Sequence, residues 1–153
     1  MLQGNICDRI DVVFDRYRAS SIKESTRKRR TKNQKAIRKV ITDRTVPLPE
    51  NWNNFLACSG NKADYADFLS EQMKLNNASD KQVVTSGGFK NELEAWSLTD
   101  SIDTGQLSST QEEADTRIIL HAISSKQESI VVSSRDTDVS VLLVSHFERI
   151  NCK

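Results

Sequence analysis

Apolar residues along the chain fall into short runs and spaced repeats that predict alternating strands and helices. The run 10–14 is β-branched and aromatic, which favours a buried strand ending at Asp15. Apolar side chains recur at helical spacing over 61–75, which predicts an amphipathic helix. The run 81–85, closed by Gly87-Gly88, predicts a second strand.

The same alternation continues in the C-terminal third of the chain. Thr110 with Glu113 three residues later forms a capping-box signature, so a helix is predicted with Thr110 as its N-cap. The β-branched run 129–133 predicts a strand, and residues 139–144 predict a further buried apolar segment. Alternating strands and helices are typical of an α/β domain with a mainly parallel sheet.

Charge changes this picture locally, although the whole chain carries a formal net charge of only +1. Residues 16–44 contain twelve Lys and Arg against two acidic residues, and Ser20 or Ser21 could cap a helix starting near Ile22. Such a basic helical segment favours contact with nucleic-acid phosphates. A solvated face is the alternative, as is a nuclear-import signal at residues 28–32.

Cysteine usage and hydropathy limit the class of protein. The three cysteines have no Cys-x-x-Cys spacing and their odd number cannot close a full disulfide set, which favours a reducing, intracellular setting, with the nucleus included. No apolar run approaches the roughly 20 residues of a membrane span. We therefore expect an intracellular protein with no membrane partner.

Acidic residues cluster at predicted strand ends and at a predicted helix start. Ligand sites of α/β sheets form outside the carboxyl ends of the strands, so these acids are expected to converge. The candidate catalytic residues are Asp15, Glu113, Asp115, Asp136 and Asp138. Mg²⁺ and Mn²⁺ prefer oxygen ligands, and such ions activate water for phosphodiester cleavage.

Each acid also has a structural interpretation. Acids in the first turn of a helix stabilise the helix dipole, and a single Asp after a strand often forms a turn. Glu113 and Asp115 would diverge by about 200° on a regular helix, so they share one metal only if the first turn is irregular or a water bridges one of them.

The acidic motifs resemble those of PIN-like nucleases of the flap-endonuclease (XPG) type. The resemblance rests on Glu112-Glu113-Ala114-Asp115 with Asp136-Thr137-Asp138, and on Val13-Phe14-Asp15 followed by basic residues. The whole chain is also similar to uncharacterised animal proteins associated with mobile elements. The resemblance implies a three-layer PIN-like sandwich and Mg²⁺ or Mn²⁺ held by Glu113, Asp115, Asp136 and Asp138. It also implies phosphate contacts from Lys23, Arg27, Arg29 and Arg30.

The chain departs from that family at both ends. The family carries an aspartate on a strand well upstream of the Phe-Asp motif and a further acid downstream, and neither has a counterpart here. We therefore expect residues 1–153 to form a single incomplete PIN-like domain, with a basic helical segment at 16–44 and an acidic metal-site core at 110–147. Two functions stay open: a Mg²⁺- or Mn²⁺-dependent nuclease acting on DNA or RNA, and a non-catalytic remnant that binds nucleic acid or protein.

Overall fold

The computed structural model describes residues 7–16, 37–75, 80–91, 93–111 and 113–150. Within these ranges the protein mixes helices with a small sheet, which confirms the α/β class. The elements in chain order are β1 (Arg9–Val13), α1 (Trp52–Ala57), α2 (Ser59–Leu75), β2 (Gln82–Ser86), β3 (Ala95–Ser97), a 3-10 helix (Thr104–Leu107), α3 (Ala114–Ser124), α4 (Thr137–Ser145) and a second 3-10 helix (Phe147–Arg149).

The sheet has three strands in the order β1-β2-β3. β1 and β2 are parallel, from Arg9 opposite Gln82 to Val13 opposite Ser86, whereas β3 runs antiparallel to β2. The sheet is therefore mixed, not mainly parallel as predicted. β2 lies in the middle, and its second half from Val84 to Ser86 is fully buried.

Helices α2 and α3 contact opposite faces of β2. The Thr85 hydroxyl lies 3.1 Å from Met73 Sδ on α2, and the next residue, Ser86, places its hydroxyl 2.8 Å from His121 Nε2 on α3. Successive side chains of a strand point to opposite faces, so helices cover both sides of the central strand. This arrangement is compatible with the predicted three-layer PIN-like sandwich, which itself stays a prediction.

Gly87 and Gly88 end β2 in a conformation that other residues rarely adopt, with φ of +73° and +74°. A Cβ on Gly87 would lie 2.4 Å from the Phe14 carbonyl oxygen, and one on Gly88 would lie 2.6 Å from Ser70 Oγ. The turn therefore lets the chain pass between the end of β1 and α2.

The buried side chain of Asn61 ties the chain at 37–39 to the start of α2. Its Oδ1 accepts hydrogen bonds from Arg38 Nη1 and from the Lys39 main-chain N–H, both at 3.0 Å. Its Nδ2 donates to the carbonyl oxygens of Ile37 at 2.8 Å and Phe55 at 3.0 Å. An asparagine side chain has two donors and two acceptor sites, so all four are used.

The predicted basic helical segment can be compared with the structure only in part. Residues 37–44 contain no helix. The rest of the segment beyond Arg16, residues 17–36, lies outside the described residues and includes the predicted start near Ile22. In the parts of the chain described above, no helix combines the length and the apolar character needed to cross a membrane.

The C-terminal region differs most from the sequence prediction. Residues 129–133 form no strand, because no neighbouring strand is placed to pair with them among the described residues. Residues 139–144 form most of α4, in which Val139 is buried but Val141 and Val144 are 66% and 79% exposed. The prediction of a buried apolar segment there is therefore wrong. Asp136 starts the helix instead, because its side chain accepts a hydrogen bond from the Asp138 main-chain N–H.

Candidate metal centre

The start of α3 is fixed by a residue that follows β1. The helix begins at Ala114 with Glu113 as N-cap, and Glu113 makes no side-chain capping hydrogen bond. Asp15 supplies the acceptor instead, since its Oδ1 receives the Ala114 main-chain N–H at 2.8 Å. The predicted N-cap at Thr110 is therefore wrong, because a carboxylate from a distant part of the chain satisfies this helix end.

Two buried arginines hold the loop that leads into α3. Arg16 Nη1 donates to the Thr110 carbonyl oxygen at 2.7 Å. Arg117 donates to the carbonyl oxygens of Ser109 at 3.1 Å and Gln111 at 3.2 Å. Arg16 belongs by sequence to the basic segment, but its guanidinium is buried and supports this loop.

Three acids from the starts of α3 and α4 come together. Asp115 lies in the first turn of α3, Asp136 is the N-cap of α4, and Asp138 lies in the first turn of α4. One carboxylate oxygen from each lies within 4.8 Å of the others. Asp136 and Asp138 are exposed and Asp115 is half-buried, so solvent and ligands reach this acid cluster.

The acid cluster can be tested against the needs of a divalent ion. Ligand oxygens on opposite sides of an octahedral Mg²⁺ are about 4.2 Å apart and adjacent ones about 3 Å apart, so at least two of the three oxygen pairs would have to approach to about 3 Å around one ion. Hard ions take carboxylate oxygens readily, and the donor set fits Mg²⁺ or Mn²⁺ completed by water. The N-terminal ends of α3 and α4 carry partial positive charge, which repels a bound cation. The same positive charge stabilises carboxylates, so it also accounts for acids at these positions without any metal.

Two predicted metal or catalytic residues lie outside this acid cluster. Glu113 is exposed at the N-cap of α3, and Asp15 is half-buried beside the same helix end. Neither belongs to the group of three acids that could share an ion in the described structure. The predicted phosphate-binding residues Lys23, Arg27, Arg29 and Arg30 lie outside the described residues.

Asp15 also lines a cleft with a volume of about 290 Å³. Its charged lining combines Asp15, Arg16, Asp64, Asp67 and Lys90. Burial raises the pKa of Asp67 above its ordinary value, although the nearby charge of Lys90 opposes the shift. Asp64 is paired with Arg38. The cleft is therefore a mixed-charge surface that does not include the acid cluster.

Sequence reasoning missed a buried hydrogen-bond chain that joins α3 to the sheet. His121 Nε2 lies 2.8 Å from the Ser86 hydroxyl and His121 Nδ1 lies 2.7 Å from Asp11 Oδ2, while Arg9 donates twice to the same carboxylate at 2.6 and 2.7 Å. A carboxylate only accepts, so His121 Nδ1 carries a proton and donates to Asp11. Ser86 is fully buried, so this chain offers no accessible nucleophile.

The electrostatics of this chain centre on Asp11. Burial opposes ionisation of Asp11, but hydrogen bonds and charge from His121 and Arg9 outweigh it and lower the pKa of the carboxyl. His121 is packed inside the protein. Its partners were not predicted, because Asp11 is 110 residues away in the sequence and no local pattern links the two.

Comparison of the chain with protein-family models, with curated proteins and with solved structures finds no match in any of the three. The resemblance to PIN-like nucleases therefore stays a prediction from short motifs. What the structure contributes independently is the meeting of Asp115, Asp136 and Asp138 from two helix starts.

Proposed function

We propose that this protein is a metal-dependent nuclease-like domain that acts on the phosphodiesters of nucleic acid. The observation that carries the proposal is the acid cluster, in which oxygens of Asp115, Asp136 and Asp138 lie within 4.8 Å of one another. Acids that the sequence separates by more than twenty residues meet there at an accessible surface. Carboxylate oxygens are ligands that Mg²⁺ and Mn²⁺ prefer, which supports the proposal.

The chain's own residues have distinct roles in this proposal. Asp115, Asp136 and Asp138 hold the ion, which when bound would supply Lewis-acid stabilisation of a phosphate and an activated water. Asp15 positions the start of α3 through its hydrogen bond to Ala114. Lys23, Arg27, Arg29 and Arg30 would neutralise phosphates of the substrate.

Metal binding by the folded 153-residue chain is the first test. Calorimetric titration with Mn²⁺ should show saturable binding that the Asp136→Asn/Asp138→Asn variant loses. The matched control is Asp80→Asn/Asp100→Asn, which removes two exposed acids that lie outside the acid cluster. Folded wild-type protein that binds no Mn²⁺, or equal losses in both variants, would contradict the proposed site.

A second candidate function, a non-catalytic nucleic-acid-binding or protein-binding remnant, is favoured by one observation. Asp15, which the resemblance makes part of the catalytic set, has an oxygen engaged in capping α3, and it lies outside the acid cluster. A hydrolysis assay on labelled single-stranded and double-stranded oligonucleotides distinguishes the two functions. Salt-sensitive binding that persists in the Asp136→Asn/Asp138→Asn variant, with no cleavage by wild type, would favour the remnant.

A further inference from the structure

The cleft that Asp15 lines has in its wall a carboxylate without hydrogen bonds. Asp67 on α2 is half-buried, and its Oδ1 is shielded from solvent but accepts no hydrogen bond. No other described residue donates a hydrogen bond to its second oxygen. A buried carboxylate oxygen without a donor costs free energy, so a ligand that donates to Asp67 would remove that cost.

The size and the walls of the cleft suit one flat ring. Its volume of about 290 Å³ is close to the lower limit of roughly 300 Å³ for small-molecule sites. Ala63 and Ala66 of α2 and Gly88 of the turn after β2 line it. A planar ring can lie against such short residues without displacing a side chain.

The polar groups of the wall determine which ring fits. Asp67 offers two acceptor oxygens. Lys90 is exposed in the same wall, and its charge acts on the Asp67 carboxylate. The complementary edge has two adjacent N–H donors followed by an acceptor. Guanine has this edge in its N2 amino group, N1–H and O6, whereas each of the other nucleobases has a single donor group on its pairing edge.

The charges in and beside the wall balance one another. Among the described residues they belong to three acids and three cations: Asp15, Asp64 and Asp67 with Arg16, Lys90 and Arg38. Asp64 is already paired with Arg38, and Arg16 donates to the Thr110 carbonyl oxygen. A neutral ring therefore fits better than a guanidinium or an ammonium group, because either would add a positive charge without a counter-charge.

One hydrogen bond joins the cleft to the acid cluster. Asp15, in the wall of the cleft, accepts the Ala114 main-chain N–H at 2.8 Å, and the residue after Ala114 is Asp115 of the acid cluster. The cleft and the acid cluster therefore lie next to the same end of α3. A nucleotide with its base in the cleft would have its sugar–phosphate chain within reach of the acid cluster.

We propose that this cleft binds the guanine base of a single-stranded nucleic acid. The Asp67 carboxylate accepts from guanine N1–H and from the N2 amino group, and Lys90 donates to O6. Single strands expose this edge of the base, whereas a duplex uses it in pairing. The choice of a nucleic-acid strand over a free guanine nucleotide rests on the proposed function, but the recognition of guanine does not.

Calorimetric titration of the 153-residue chain with guanosine monophosphate, with EDTA present, tests guanine recognition without any metal. Inosine monophosphate is the matched control ligand, because it differs only by lacking the N2 amino group. We expect saturable binding of the guanine nucleotide and at least about tenfold weaker binding of the inosine nucleotide, since a hydrogen bond to a charged oxygen is lost. Equal affinities, or no saturable binding up to about 5 mM, overturn the proposal.

A change of ligand preference locates the site at Asp67. Asp67→Asn replaces one acceptor oxygen by an amide donor, which opposes the N2 amino group of guanine but matches the C2 oxygen of xanthine. The variant should bind guanosine monophosphate at least about tenfold more weakly and xanthosine monophosphate at least about tenfold more tightly than wild type does. Gained binding cannot come from misfolding. Loss of guanine binding without this gain overturns the proposal.

Glu71→Gln is the matched control variant. It makes the same acid-to-amide change one turn further along α2, at an exposed residue outside the lining of the cleft. Its affinity for guanosine monophosphate should equal that of wild type. An equal loss in Glu71→Gln and Asp67→Asn would indicate a general effect of charge on α2 and would overturn the proposal.

Oligonucleotides identify the source of the base. In EDTA, a short labelled oligothymidylate with one central guanosine should bind at least about tenfold more tightly than the same strand without guanosine, as measured by fluorescence anisotropy. Binding of the free nucleotide without this difference would assign the cleft to guanine nucleotides and overturn the proposal as stated.

The same variants separate this proposal from the proposed metal site. Asp67→Asn should keep the Mn²⁺ affinity of wild type, and Asp136→Asn/Asp138→Asn should keep the preference for guanine. Mn²⁺ binding by a wild-type protein that does not distinguish guanine from inosine would overturn only the guanine site. Guanine recognition by a protein that binds no Mn²⁺ would contradict only the metal site.

Discussion

Helices α3 and α4 show that composition alone does not decide which helix is buried. α3 contains Asp, Arg and His, yet it buries Arg117, Ile119, His121 and Ala122. The part of α4 from Val139 onward carries no acidic or basic residue apart from the flanking His146, yet it buries only Val139. The more polar helix is the more deeply buried of the two.

The difference comes from what each helix contacts. α3 lies on the sheet, and its buried polar side chains have hydrogen-bond partners in β1, in β2 and in the loop before the helix. α4 packs on α3 and on the 3-10 helix that follows it. A buried polar group is tolerated where its hydrogen bonds are made, and an apolar group stays exposed where no surface covers it.

The largest effect should come from removing the His121 side chain, which joins α3 to Ser86 and Asp11 by hydrogen bonds. His121→Leu leaves the buried Ser86 hydroxyl without a partner and removes one donor from Asp11, so the free energy of unfolding should fall by about 3 kcal/mol. Urea denaturation followed by circular dichroism measures the change. Val144→Leu on α4 is the control and should change stability little. A loss no larger in His121→Leu than in this control would show that the link is not important for stability.

The next largest effect on the free energy of unfolding should come from the core packing of α4. Val139→Ala removes methyl groups from a fully buried site and should lower the free energy of unfolding by about 2 kcal/mol. Val144→Ala removes the same atoms from an exposed position, and its effect should stay within about 0.5 kcal/mol. The same denaturation experiment compares the two variants. Similar losses would mean that Val144 is covered in solution, for example by a bound partner.

Capping of α3 by Asp15 should contribute about 1 kcal/mol, which Asp15→Ala removes. Asp15→Asn keeps an acceptor oxygen for the Ala114 N–H, so it should retain most of the stability. Mn²⁺ titration of Asp15→Asn then separates the two roles of this residue. Unchanged affinity would leave Asp15 as a positioning residue, whereas lost affinity at full stability would place it among the ligands.

The smallest effect on the free energy of unfolding should appear only at acidic pH. The pKa of Asp11 is lower in the folded protein than its ordinary value of 3.8, so its stabilising contribution is present above pH 3.8 and is lost as the pH falls through the folded pKa. The difference in unfolding free energy between wild type and Asp11→Asn should therefore shrink below pH 3.8. Denaturation across the acid range measures it. A difference that stays constant with pH would show that Asp11 stabilises the fold without its charge.

Elements with a local pattern were predicted well from the sequence. β1, α2 and β2 lie where apolar spacing predicted a strand, a helix and a strand. The run 129–133 has strand propensity, but a strand also needs a paired edge, which the sequence of the run does not supply. The start of α3 could not be read locally either, because its cap is a carboxylate from 99 residues earlier.

The candidate site was also predicted only in part, because some of its features depend on local sequence and others on contacts between distant parts of the chain. Asp136 and Asp138 stand close together in the sequence, and the expected convergence with Asp115 is present in the structure. Glu113 was assigned to the metal site and Asp15 to the catalytic set from their places at a helix start and a strand end and from the motifs, none of which fixes the directions of the side chains. Those two assignments stay predictions.

The fully bonded Asn61 has a consequence for substitutions at the start of α2. Its amide gives two hydrogen bonds and accepts two, and these join residues 37–39 to α2 and to the Phe55 carbonyl oxygen. Aspartate at this position would keep the acceptors but lose both donors, and leucine would lose all four hydrogen bonds. Of the side chains of this size, only an amide therefore closes this junction without leaving a buried polar group unsatisfied.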